Sequence, residues 1–143
     1  MAPPFHYVDL RSFAYATEDE ERVVDALGTL LPEDFPIDRA ESEGHYGDRI
    51  VVRSARVENA DGIRHVLDRL LDADEFTRIL NELDERVTEN CEFYLTLDKQ
   101  AAFGGDVALG DGITLRAKIE AYPAKREAAI ENARDAFETL LEG

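Results

Sequence analysis

Hydrophobic and polar residues alternate along several stretches of the chain, and this alternation predicts β-strands. Residues 5–16 and 91–98 alternate along most of their length, and residues 113–122 alternate most cleanly. Residues 36–43 and 49–58 are predicted as two further strands. Glycines and polar residues between them favour a turn, so we interpret the pair as a hairpin.

Apolar residues recur at intervals of three and four in the remaining segments, which is typical of helices with one buried side. Thr17 and Glu20 have the spacing of a capping box and predict the start of a helix that ends before Pro32. Two successive helices are predicted between residues 59 and 87. A last helix is predicted to begin at Pro123, a residue favoured in the first turn.

The predicted order of elements is therefore β-α-β-β-α-α-β-β-α. Strands with one polar side, separated by amphipathic helices, favour an α+β fold in which helices cover one face of an antiparallel or mixed sheet. The 143 residues fit a single domain that spans residues 1–143.

Acidic residues outnumber basic ones by 32 to 16, which gives a formal net charge of −16. Only three of the basic residues are lysines, while 44% of all residues are apolar, so the acidity does not indicate a disordered chain. A carboxylate-rich surface suits concentrated salt, where repulsion between like charges is screened over about 3 Å at 1 M. We therefore expect a halophilic source, with an ordinary acidic protein as the alternative. Because the apolar runs are short, we expect a cytoplasmic protein with no membrane partner.

The basic residues are unevenly distributed along the chain. Residues 17–48 contain eleven acids and two bases, whereas residues 97–134 contain six of each, including all three lysines. A neutral segment in so acidic a protein indicates a surface for an anionic partner. The alternative is chance clustering of bases that form local ion pairs.

Lys125 and Arg126 follow Pro123 at the predicted start of the last helix. The helix dipole disfavours cations at this end by about 0.3–1 kcal/mol each. A bound phosphate would reverse that cost, because it would meet free backbone N–H groups and two cationic side chains together. The alternative is that Glu127 and Glu131 neutralise both bases.

Three further segments carry candidates for phosphate contact. Arg116 and Lys118 point to the same side of their predicted strand, and Lys99 and Gln100 are predicted to end the strand beside it. His45 and Arg49 lie in the turn of the predicted hairpin. A solvated sheet face with ion pairs, and a turn shaped by its glycines alone, are the alternatives.

The sequence contains no arrangement typical of catalysis. Cys91 lies on the inward side of a predicted strand, where a small buried thiol is expected to be inert. Three separated histidines and one cysteine lack the spacing of zinc ligands, and the glycines near residue 110 do not form a phosphate-binding loop. We expect a protein that is not an enzyme and needs no cofactor.

Four segments taken together resemble a known family. They are HYVDLRSFAYATEDEERV near the start, GHYGDRI at residues 44–50, LTLDKQAAFGGDVALGDG at 95–112 and KIEAYPAKREAAIENAR at 118–134. They are similar to the archaeal RNA-binding family described as a predicted exosome subunit with a double-stranded-RNA-binding-domain-like fold. The resemblance implies a non-catalytic RNA-binding protein that is accessory to RNA processing or degradation.

The resemblance also implies roles for particular residues. Lys125 and Arg126 match the basic cluster that grips phosphates at the start of the final helix in double-stranded-RNA-binding domains, and the loop around His45 matches the one that enters the minor groove. We therefore expect RNA to be the partner, together with exosome or other RNA-processing proteins. The alternative is an adaptor or homodimer without direct RNA contact. The expected RNA-binding residues are Lys99, Gln100, Arg116, Lys118, Lys125, Arg126, His45 and Arg49.

Overall fold

The computed structural model describes residues 3–15, 17–44 and 47–142, and its strands form one five-stranded sheet. The strands are β1 (Phe5–Ala14), β2 (Asp38–Glu43), β3 (Arg49–Val57), β4 (Glu92–Asp98) and β5 (Gly112–Ile119). Their order across the sheet is β2-β3-β1-β5-β4, and every neighbouring pair is antiparallel. The predicted α+β class, antiparallel sheet and hairpin of β2 and β3 are confirmed.

Within the described residues, six helices connect and cover the strands. They are α1 (Glu20–Gly28), α2 (Ala60–Leu71), α3 (Phe76–Asn81), α4 (Leu83–Arg86), α5 (Lys99–Phe103) and α6 (Arg126–Glu142). None of the helices in the described ranges is both long and apolar enough to cross a membrane.

Alternate side chains along each strand point to opposite sides of the sheet, so the sheet has a buried face and an exposed face. Val8 and Leu10 of the central strand β1 are fully buried, as are Leu95 of β4 and Leu115 of β5. These residues pack with apolar residues from the helices in one continuous core. Because side chains alternate with a period of two, the residues between them point to the opposite side of the sheet.

Aromatic rings hold the longest helix to this buried face. Phe137 of α6 is fully buried, and its ring centroid lies 6.4 Å from Phe5, 5.4 Å from Phe76 and 5.6 Å from Phe93. These partners belong to β1, α3 and β4, so one side chain connects three elements that are distant in sequence.

The starts of two helices differ from the predictions. Helix α1 begins after Asp19, whose side chain accepts a hydrogen bond from the Glu21 N–H at 3.0 Å, so the predicted capping box at Thr17 is wrong. Helix α6 begins at Arg126 instead of Pro123, and the Tyr122–Pro123 peptide bond is cis. Lys125 therefore precedes the last helix and does not lie within its first turn.

The region directly after β4 contains a helix that the alternation of hydrophobic and polar residues does not predict. Asp98 is the N-cap of α5, and its side chain accepts a hydrogen bond from the Ala101 N–H at 3.0 Å. Lys99 and Gln100 consequently lie in a short helix and not at the end of a strand. The second of the two helices predicted between residues 59 and 87 is divided into α3 and α4.

We predict that Phe137→Ala lowers the free energy of unfolding by about 3–5 kcal/mol, because it removes a fully buried ring and leaves a cavity. Urea denaturation measures the change. Leu141→Ala, at an α6 residue that is 54% exposed, is the control and should cost less than about 0.5 kcal/mol. Equal effects of the two substitutions would contradict the proposed packing of α6.

Candidate nucleic-acid interface

The exposed side of the sheet, called here the open face, consists of outward-pointing residues of β1, β3, β4 and β5. They are Tyr7, Asp9, Arg11, Phe13, Val52, Ser54, Arg56, Glu92, Tyr94, Thr96, Thr114, Arg116 and Lys118. None of them is buried, although their neighbours in sequence on the other face are mostly buried. The open face has four bases and two acids, whereas the chain as a whole carries a net charge of −16. The edge strand β2 adds Asp38 beside it.

A row of polar side chains crosses the middle of the open face. Asp9 lies between Arg56 on β3 and Arg116 on β5, and Tyr94 on β4 is opposite Arg116. Both Asp9 carboxylate oxygens accept hydrogen bonds from Arg56, at 2.7 and 2.8 Å, which raises the pKa of Arg56. The guanidinium of Arg56 also lies 4.0 Å above the ring of Tyr7. Arg56 is therefore held in place by protein groups.

Arg116 and Arg11 are less constrained than Arg56. The Nε of Arg116 is 3.9 Å from the nearest Glu92 carboxylate oxygen, and 59% of the Arg116 side chain is exposed. Arg11 is exposed between Ser54 and Thr114, and no described residue accepts a hydrogen bond from it. Both guanidiniums line a shallow cleft of about 580 Å³ on the open face.

Lys118 lies near the end of the same strand. It faces Tyr7 on β1 and Glu92 on β4, and its Nζ donates a hydrogen bond to the carbonyl oxygen of Asn90. The pairing of β4 with β5 thus brings Arg116 and Lys118 to one surface with Tyr94, which is 44% exposed.

The other predicted residues lie at two opposite ends of the sheet. Lys99, Gln100 and Arg49 are at the end where β1 finishes and β5 begins. Lys125 and Arg126 follow the far end of β5. Most of the length of β5 therefore separates Lys99 from the start of the last helix. His45 lies outside the described residues.

Lys99 is occupied by protein acceptors. Its Nζ lies 2.6 Å from a Glu18 carboxylate oxygen and donates to the Phe13 carbonyl at 3.0 Å, and only 14% of its side chain is exposed. Burial alone would raise the pKa of Glu18, but the hydrogen bond and charge of Lys99, together with the Tyr15 N–H, lower it overall. Gln100 beside it is exposed.

Arg126 is also committed to the fold. Its Nε donates to the Val87 carbonyl at 2.9 Å, and its Nη2 donates to the Asp84 carbonyl. These carbonyls lie at the end of α4, where backbone acceptors lack partners within the helix. The contact joins α6 to α4, so Arg126 is a structural residue whose acceptors are neither Glu127 nor Glu131.

Lys125 and Arg49 remain accessible. Lys125 is exposed and has no partner for its side chain among the described residues. The nearby Tyr122 is 85% exposed. Arg49 is 62% exposed, and its Nη1 is 3.7 Å from a Glu41 carboxylate oxygen.

Sequence reasoning missed Arg11 and Arg56 as members of this surface. The alternation of residues 5–16 already placed Arg11 on the polar side of its strand, so its exposure was predictable. Its position near Arg116 was not, because it depends on the pairing of β1 with β5, which sets Arg11 opposite Thr114.

Comparison with known proteins identifies a matching family model and a relative along most of this chain. The model of a family described as RNA binding matches residues 7–119. A relative from Pyrococcus abyssi, named RNA-binding protein PAB1135, is 35% identical over 93% of this chain and 94% of its own length.

Two solved archaeal structures have the same fold. Protein AF2318 of Archaeoglobus fulgidus is 31% identical, with a TM-score of 0.82 over 92% of this chain and 99% of its own. Mth689 of Methanothermobacter thermautotrophicus is 36% identical, with a TM-score of 0.76 over 93% of this chain and 98% of its own.

We predict that Glu18→Gln destabilises the protein by about 0.5–1 kcal/mol at neutral pH, since it removes a partly screened ion pair with Lys99. The pKa of Glu18 is lowered in the fold, so its contribution is present above its ordinary pKa and is lost as the pH falls through the lowered value. Urea denaturation at pH 7 and near pH 3 should show a larger difference at the higher pH. The exposed Glu33→Gln is the control, and a difference that persists unchanged in acid would contradict the prediction.

Proposed function

This chain belongs to the RNA-binding family, and we propose that it binds structured RNA on the open face of its sheet without catalysing a reaction. The observation that carries the proposal is the position of Arg11 and Arg116. Both are exposed and line one cleft that also contains Asp9 and Asp38. Arg11 has no ion-pair partner within the described structure, and the contact of Arg116 with Glu92 is long, at 3.9 Å. Two accessible guanidiniums on one face of a chain with a net charge of −16 favour an anionic ligand.

The extent of the family match supports the sheet as the binding element. Residues 7–119 include nearly all of the five strands but exclude the last helix. RNA binding is the property that describes the matched family. We therefore expect the binding residues to lie within the matched segment, on the sheet, and not at residues 125 and 126.

The chemistry of the open face suits RNA with unpaired bases. Arginine guanidiniums donate paired hydrogen bonds to phosphate oxygens, and exposed tyrosine rings provide surfaces on which bases stack. Arg116 and Tyr94 are neighbours on paired strands, so one nucleotide can contact both. Loops and bulges of a folded RNA present such nucleotides, whereas a continuous duplex hides its base faces.

The acidity of the protein limits how RNA is held. Binding that depends only on the release of counterions weakens steeply as salt rises. Short-range hydrogen bonds and stacking are less sensitive to screening, which acts mainly between separated exposed charges. We therefore propose that few, directed contacts on the open face hold the RNA, in place of a broad basic surface.

Residues at both ends of the sheet extend the proposed interface. Lys118 lies near the end of β5, and Lys125 and Tyr122 continue the interface beyond that end, while Gln100 and Arg49 are candidates for contacts at the other end. His45 is a candidate on its sequence alone. Lys99 and Arg126 support the interface indirectly, because their donors are engaged by protein oxygens.

The resemblance that the sequence shows extends the proposal to the cellular role. We propose an accessory protein of RNA processing or degradation that associates with exosome subunits, with double-stranded RNA as part of its ligand and a haloarchaeal source. Co-purification after nuclease treatment tests the association. Partners lost with the RNA would favour RNA contact, whereas partners retained would favour the adaptor or homodimer.

We predict that Arg11→Glu and Arg116→Glu each weaken binding of a labelled RNA hairpin by about tenfold or more, as expected for loss of a charge-assisted contact and added repulsion. Fluorescence anisotropy at matched salt measures the affinity. Arg64→Glu on α2 is the control, since it makes the same charge change on the helical side of the sheet. Equal losses in the three variants would show a general charge effect and would contradict binding on the open face.

We predict that Tyr94→Ala weakens binding of the same hairpin by about 1–3 kcal/mol if a base stacks on its ring. Tyr94→Phe keeps the ring and should retain most of the affinity. The same titration compares the two variants, and a loss as large in the phenylalanine variant as in the alanine variant would argue against stacking.

A further inference from the structure

Two arginines lie beside the β4 edge of the open face, outside the surface described above. Arg78 of α3 and Arg86 of α4 line a cleft of about 270 Å³ together with Thr96, Gly110 and Asp111. Thr96 is also a residue of the open face, directly after Tyr94 in the alternation of β4. The cleft is therefore continuous with the proposed RNA-binding surface.

Glu82 aligns the two guanidiniums. The same Glu82 carboxylate oxygen accepts a hydrogen bond from the Nε of Arg78 at 3.1 Å and from the Nη2 of Arg86 at 2.9 Å. The hydrogen bond from Arg86, with smaller contributions from Arg78, lowers the pKa of Glu82, so this carboxylate is ionised. One negative charge thus accompanies two positive charges, and the carboxylate of Asp111 in the same cleft offsets the remaining positive charge.

Arg86 has donors that the fold does not use. Its side chain is only 18% exposed, and its Nε is buried with no acceptor, which is true of no other buried side-chain nitrogen or oxygen within the described ranges. The hydrogen bond to Glu82 engages a single N–H of the five that a guanidinium carries. A buried donor without an acceptor is unfavourable, and such groups in native proteins commonly mark a position for an ion or water.

We propose that the cleft between Arg78 and Arg86 binds a backbone phosphate of RNA as the strand passes from the open face across β4. This inference rests on the proposed function and adds a second contact site to it. Phosphate oxygens accept from guanidiniums in pairs, and Arg78 is 63% exposed, so it can turn towards a ligand without unfolding α3.

The cleft also contains an acidic residue, Asp111, which distinguishes it from a surface that has only basic residues. Its exposed carboxylate lies at the same cleft and repels a phosphate. Salt screens this repulsion more than it weakens the short hydrogen bonds to arginine. Removing the charge by Asp111→Asn should therefore strengthen RNA binding, most clearly at low salt.

The test measures affinity for the RNA hairpin over a range of salt concentrations. Arg78→Gln should lower affinity by about three- to tenfold and reduce the salt slope by about 0.7–1, as for the loss of one phosphate contact. Arg86→Lys keeps the charge but loses the paired donors, so it should lower affinity by a similar factor with little change in the salt slope. Asp111→Asn should raise affinity about two- to threefold at low salt. Arg64→Gln is the matched control, and Arg78→Gln, at an exposed position, keeps the test valid if Arg86→Lys is unstable.

The outcomes separate this inference from the proposed function. If Arg116→Glu weakens binding while Arg78→Gln leaves affinity and salt slope unchanged, the cleft is not a contact site and the open face remains one. If neither substitution changes affinity, both proposals fail. The Nε–H resonance of Arg86, followed by NMR, should shift on addition of RNA. A shift with inorganic phosphate alone, and none with RNA, would assign the cleft to a free anion and overturn the proposal.

Discussion

A single buried layer between the sheet and the helices is the constraint on which the rest of the structure depends. Apolar residues from strands and helices along the chain, from Val8 in the central strand to Phe137 in the last helix, belong to one core. Because this layer occupies one face of the sheet, strand periodicity leaves the other face exposed. The open face is thus a direct result of where the helices pack, and its polar residues need no separate structural reason to face solvent.

Basic side chains in this acidic protein have two different roles, which depend on their acceptors. Lys99 and Arg126 donate to backbone carbonyls of other elements and hold the fold together. Arg11 and Arg116 extend from the regular sheet, which fixes their positions while leaving their guanidiniums accessible. A rigid sheet that presents a few directed donors can bind RNA with less dependence on total charge, which suits a chain of net charge −16.

The sequence predicts the sheet well because alternation is a local signal. It identifies the strands, their inward and outward faces and the exposure of Arg116. The predicted position of Lys99 at the end of a strand was wrong, because the N-cap residue Asp98 starts a helix where the alternation ends. The role of Arg126 was not predictable from local pattern, since its acceptor at Val87 is 39 residues away in sequence. Similarly, the alternation predicted that Arg11 is exposed. It did not predict that Arg11 lies near Arg116, because strand pairing is not a local signal.

The most direct test of this account is a map of the RNA-binding surface by NMR, in which backbone amide shifts are followed as an RNA hairpin is added. Binding on the open face predicts changes in β1, β4 and β5, centred on Arg11, Tyr94 and Arg116, and little change on the outer sides of α2 and α6. Changes confined to those helices, with the sheet unaffected, would contradict the account.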